Sequence, residues 1–99
     1  MITTGFGHCW LEFKNGYTIS IYNGFGSYSE NRLNKKIYNK MMKPKYEDRC
    51  SSKDCEVAIL YNGGFCTDRF IETDDSVKGY ISADELADLI VKVKNAEKI

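Results

Sequence analysis

Residues 8–22, HCWLEFKNGYTISIY, alternate apolar and polar positions on either side of a turn. Apolar side chains fall at Cys9, Leu11 and Phe13 on one arm and at Tyr17, Ile19 and Ile21 on the other. Successive strand residues face opposite sides, so this period of two predicts a β-hairpin with one buried face. The faces also select the loop. A two-residue Asn15-Gly16 loop would set Phe13 against Thr18 and mix apolar with polar. A three-residue loop, Lys14-Asn15-Gly16 with Gly16 left-handed, pairs Phe13 with Tyr17 and Leu11 with Ile19.

Residues 56–71 repeat the theme with a more continuous apolar run, Val57 to Tyr61, broken by Asn62-Gly63-Gly64. A run without alternation suits a central strand buried on both faces. Between the two hairpins, Ser29 is placed to cap a helix reaching about Met42, with Leu33, Ile37 and Met41 recurring at every fourth position and Pro44 as its stop. Lys45 to Asp54 reads as a polar connector. The last element is the clearest. Ser82-Ala83-Asp84-Glu85 has the spacing of a capping box, Ile81 and Leu86 that of a hydrophobic staple, and Leu86, Leu89, Ile90 and Val93 form a core stripe. The resulting order is ββαββα. It predicts an α+β fold: a four-stranded, mainly antiparallel sheet with both helices on one face.

At 99 residues the chain reads as a single domain, 1–99, with one modest core and little surplus for a deep catalytic cleft. Apolar residues at 42% suffice for that core, and one proline with eight glycines argues against disorder. No run approaches the roughly 20 apolar residues that span a bilayer, and Met1-Ile2-Thr3-Thr4 shows no signal-peptide pattern, so the expected location is a cytoplasm, with no membrane partner. In that compartment Cys9, Cys50, Cys55 and Cys66 are expected as free thiols.

Net charge is zero but unevenly spread. Arg32 to Lys53 holds eight bases against two acids, and Asp68 to Asp88 holds seven acids against two bases. A dipolar chain of this kind favours oriented docking, to a charged partner or to a second copy as a homodimer. Arg32, Lys36, Lys40 and Lys43 lie along one side of the first helix with Tyr38 beside them. This face reads either as an ordinary solvated surface or as one that docks on a protein or nucleic acid.

The other candidate is Tyr22-Asn23-Gly24-Phe25-Gly26-Ser27-Tyr28-Ser29. Extending the hairpin ladder would set Gly7 beside Asn23 and Gly5 beside Phe25, so that two glycine-rich stretches meet where a helix starts. Gly24, Phe25 and Gly26 would admit a ligand close to the backbone, with Ser27 and Ser29 supplying hydroxyls to a phosphate or carboxylate. The competing reading makes the glycines permissive of a twisted strand end and Phe25 a core plug. Cys50 and Cys55 are spaced by four residues, and Cys9, Cys66 or His8 would have to complete a zinc site, but the short paired-cysteine knuckles are missing. His8 and Cys9 point to opposite faces of a strand, against a nucleophilic pair. Glu72, Asp74 and Asp75 lack the alternating ligands of a calcium loop. No metal and no cofactor are expected, and no catalytic constellation stands out.

The stretches FGHCWLEFKNGYTISIYNGFGSYSEN and DCEVAILYNGGFCTDRFIETDDSVKGYIS resemble small proteins of bacteriophages and prophages encoded beside genes that counter host defence, anti-CRISPR inhibitors among them. The resemblance is carried by no catalytic motif and implies a class: compact viral proteins that act in the host cytoplasm by binding a host factor. The expectation is therefore a non-enzymatic inhibitor that docks on a host defence complex through the basic helix, the exposed aromatics of the glycine-rich edge, or both. Two alternatives are sequestration of a small nucleotide signal at the Gly24 to Ser29 turn, and a nucleic-acid-binding regulator.

Overall fold

A computed structural model describes residues 1–98. The fold is α+β. Strands β1 (Ile2–Gly5), β2 (His8–Glu12) and β3 (Tyr17–Tyr22) precede helix α1 (Lys35–Met42); strands β4 (Asp54–Tyr61), β5 (Gly64–Phe65) and β6 (Lys78–Ser82) lead into helix α2 (Ala83–Lys94). The strands make one open antiparallel sheet in the order β1-β2-β3-β4, and the far edge of β4 pairs with β5 at one end and β6 at the other.

The first hairpin closes through the three-residue loop. Phe13 N–H donates to the Tyr17 carbonyl at 2.8 Å, Gly16 is left-handed at φ +93°, and the register pairs Leu11 with Ile19 and Cys9 with Ile21. Asn15 then does more than turn the chain. Its Nδ2 donates to the carbonyls of Val93 and Ala96 at 2.8 and 3.0 Å, so the hairpin loop caps the C-terminal end of α2.

The core lies between α2 and the odd-numbered side chains of β2, β3 and β4. Tyr17, Ile19, Val57 and Ile59 come from the sheet, and Leu89 and Val93 from α2, all buried. Val57, Ala58 and Ile59 are buried consecutively, as a central strand requires. The capping box of α2 is complete: Ser82 Oγ accepts from Glu85 N–H, and the Glu85 carboxylate accepts from Ser82 N–H at 3.1 Å.

Four expectations need correction. The sheet has six strands rather than four. β1 is added at its edge by a tight turn that pairs Gly5 with His8, so Gly5 does not lie beside Phe25. The second arm of the second hairpin ends at Phe65, after a two-residue Asn62-Gly63 turn with both residues left-handed, at φ 52° and 80°. The chain leaves β5 because Thr67 turns inward: its Oγ1 accepts from Ile59 N–H at 2.9 Å and donates to the Ser76 carbonyl at 2.7 Å. The place of that second arm along β4 is taken by β6.

The first helix starts late. Ser29 does not cap it; Asn34 does, accepting from the N–H groups of Lys36 and Ile37. Ser29 is buried and its hydroxyl is committed to Asn31 N–H at 3.1 Å and to Ser27 Oγ at 2.7 Å. Leu33 lies outside the helix, 78% exposed. Finally, only α2 covers the core face. Ile37 is buried, yet no α1 side chain joins the core cluster.

Candidate functional site

The loop from Asn23 to Asn34 is fixed by polar contacts with two other segments. Tyr28 N–H donates to the Glu56 carboxylate at 3.1 Å, and Glu30 N–H to Asp54 Oδ1 at 2.8 Å. On the other side, Tyr80 N–H donates to the Tyr28 carbonyl at 2.8 Å, at an irregularity of β6 where Tyr80 is left-handed. Gly79 is required there, because a Cβ would overlap the Cβ and carbonyl oxygen of Tyr28. The hub of the loop is Asn31, which is 3% exposed. Its Nδ2 donates to the carbonyls of Asn23 and Ser51 at 2.9 and 3.0 Å, tying the glycine-rich turn to the connector before β4.

Within the turn, the expected donors are occupied. Ser27 is fully buried, and its Oγ lies 2.7 Å from both the Gly24 carbonyl and Ser29 Oγ. Gly24 is packed against the Tyr22 ring and Met41 Sδ, and Phe25 N–H points at that sulfur at 3.3 Å. Gly26 alone stands open, left-handed at φ +85° with free space where a Cβ would be. Its N–H already donates to the Arg32 carbonyl at 2.9 Å. The five residues Gly24, Phe25, Gly26, Ser27 and Ser29 are thus together, as a closed knot with its hydroxyls turned inward.

The basic residues divide into two kinds. Arg32 is held in place, its guanidinium 4.2 Å from the Tyr28 ring centroid and Nη1 donating to the Gly26 carbonyl at 3.2 Å. Lys36 and Lys43 are exposed and Lys40 is half-buried; among the described residues their ammonium groups make no hydrogen bond. Tyr38 is 40% exposed and meets Phe25 edge-on at 5.0 Å between centroids. Lys35, which the sequence reading did not single out, lies over both rings, at 5.3 and 5.8 Å. Phe25 and Tyr38 thus form a packed pair beneath Lys35, whereas Lys36 and Lys40, two positions either side of Tyr38, lie round the far flank of the helix.

The sequence reading also passed over the uncovered face of the sheet. His8 stacks on Trp10 at 3.7 Å, lies 4.9 Å from Tyr22, and meets Ser20 Oγ through Nε2 at 2.7 Å. Burial holds the His8 imidazole below its ordinary pKa. The signal was present, since these aromatics occupy the even positions of the same alternation whose odd positions build the core.

All four cysteines are free. Burial pushes the thiols of Cys50 and Cys66 up, and the Cys55 thiol, beside Asp54 and Glu56 as well, is pushed up to about 11, which keeps these three protonated at neutral pH. His8 and Cys9 do face opposite sides of β2, one in the row of Tyr22 and the other in the row of Ile21. Among the described residues no group of three His, Cys, Asp or Glu is gathered to hold a metal ion, and no helix is long and apolar enough to cross a membrane. No family model, no curated protein and no solved structure matches the chain.

Proposed function

We propose that this protein is a non-enzymatic viral inhibitor that docks on an acidic surface of a host defence protein, with α1 as the docking face. The observation that carries the reading is the Phe25–Tyr38 pair with Lys35 over both rings, together with Lys36 and Lys40 elsewhere on the same helix and Lys43 at its C-cap. Rings already packed lose little rotamer freedom on binding, and exposed ammonium groups steer an acidic partner toward them. The viral setting rests on the sequence resemblance. A protein partner is preferred to a nucleic acid because the net charge is zero and Phe25 and Tyr38 pack edge to ring rather than offering two open faces to bases. The uncovered row of Trp10, His8 and Tyr22 is the observation that favours the nucleic-acid reading as second. Sequestration of a nucleotide at Gly24 to Ser29 has less support, since Ser27 and Ser29 spend their hydroxyls inside the turn.

The test is affinity capture from lysate of a bacterial host with wild type and with the Lys36→Glu, Lys40→Glu double variant. Wild type is expected to retain one host protein that resists nuclease and is released by salt. The double variant, matched in melting temperature, is expected to bind it at least about tenfold more weakly, roughly 1.4 kcal/mol. Equal affinity would remove α1 as the docking face, and a nuclease-sensitive catch would move the assignment to nucleic acid.

A further inference from the structure

Because α1 does not lie on the core face, one end of that face is left open. A cavity of about 340 Å³ remains there, beyond the first turns of α2. Its floor is apolar: Cys9, Ile21, Cys55, Ile81 and Leu86, drawn from β2, β3, β4, β6 and α2. Ile81 and Cys55 are buried, while Cys9, Ile21 and Leu86 remain partly open to the space. The rim holds one cation and one anion, Lys53 and Asp54, with Asn23 and Ser52 between polar and apolar surface. Much of the rim is already tied. Asn23 Nδ2 donates to Ser52 Oγ at 2.9 Å, Ser52 Oγ donates to the Asp54 carbonyl, and Asp54 Oδ1 accepts from Glu30 N–H.

We propose that this cavity is a binding site for a neutral, mostly apolar molecule, of the size of one or two rings, that bears a hydrogen-bonding group on one edge. A volume of a few hundred Å³ with an apolar floor and a few polar groups at the mouth is the usual make-up of a small-molecule site. Lys53 and Asp54 balance, so a net charge on the ligand gains nothing at the rim and costs its desolvation in the cavity. The polar edge of the ligand faces Asn23 and Ser52 while its apolar part replaces water over Ile21 and Leu86. The site is separate from the Gly24 to Ser29 turn, and the proposal stands independently of the docking role of α1.

Indole is the probe, with tryptamine and indole-3-acetate as its positively and negatively charged relatives, titrated into isotopically labelled protein and followed by NMR. Saturable shifts are expected at the methyl groups of Ile21, Ile81 and Leu86, with both charged relatives binding more weakly than indole. Cys9→Phe, which extends a ring from the floor into the space, should weaken indole binding at least about tenfold; Leu86→Phe, filling the same space from α2, is the second variant in case the first folds poorly. The proposal is overturned by the absence of shifts at saturating indole, by shifts centred on Trp10 and Phe65 across the sheet, by tighter binding of a charged relative, or by folded filled variants that bind indole as wild type does.

Discussion

Asn31 shows how much of this fold rests on a side chain without catalytic character. It is buried, and its amide satisfies two main-chain carbonyls on segments that are distant in sequence. Replacing it with alanine removes the donor that joins the carbonyls of Asn23 and Ser51, leaving the first with the Cys50 thiol at 3.6 Å and the second, on an exposed residue, to water. Asn31→Ala is therefore expected to cost about 2 kcal/mol, the net worth of two lost hydrogen bonds, measured as a lower urea midpoint at unchanged slope. Nothing in the sequence marks Asn31 apart from Asn34 three positions on. Their roles, buried hub and helix cap, are set by contacts with Ser51 and with the start of α1, and no local pattern encodes those.

Between α1 and α2 the difference in legibility has a physical cause. α2 carries its signals in its own sequence: the Ser82–Glu85 box at the start and a four-residue apolar stripe, all used as read. The hairpin loop could be read for a similar reason, because only one register keeps the two apolar rows on one face. For α1, Ser29 and Leu33 fit helical spacing, but Tyr28 and Glu30 are drawn into bonds with Glu56 and Asp54, and the helix starts only after that segment is anchored. Tertiary contacts overrode local propensity. β1 had no signal to read, since Ile-Thr-Thr-Gly has a single large apolar side chain, Ile2. Both members of the capping box of α2 can be tested. Ser82→Ala should destabilise by about 1 kcal/mol, the usual worth of a cap. The Glu85 carboxylate, held below its ordinary pKa by the hydrogen bonds from Ser82, favours the folded state most when ionised. Its contribution is present above the ordinary carboxylate pKa and is lost as pH falls through the lowered one. Melting of wild type and Glu85→Gln across pH 2 to 7 should show the two curves converging at the acid end; a constant gap would mean that charge at Glu85 is irrelevant.

Over the chain as a unit, packing gathers around one cluster of buried side chains. The four cysteines are free and, among the described residues, no cluster of metal ligands is present. Melting temperature should therefore be the same in reductant, in chelator and in neither; a fall with chelator alone would indicate a bound metal that supports the fold. The candidate surfaces sort in the same way. The basic positions on α1 could be placed from helical spacing, whereas the cavity at the end of the core face could not, because its walls come from β2, β3, β4, β6 and α2 together and no local pattern encodes that meeting.

The capping of α2 by Asn15 carries a consequence for how the protein comes into being. The bond from Asn15 to Val93 spans 78 positions, and the apolar rows of β2 and β3 have no helix over them until residues 83–94 are available. During synthesis, which runs from the first hairpin toward α2, Leu11, Ile19 and Ile21 wait uncovered while the rest of the chain emerges. Such long-range closure slows folding and leaves a sticky sheet exposed in the interval. A nascent chain halted before Ala83 is thus expected to bind chaperones, and release of the α2 segment to complete the core.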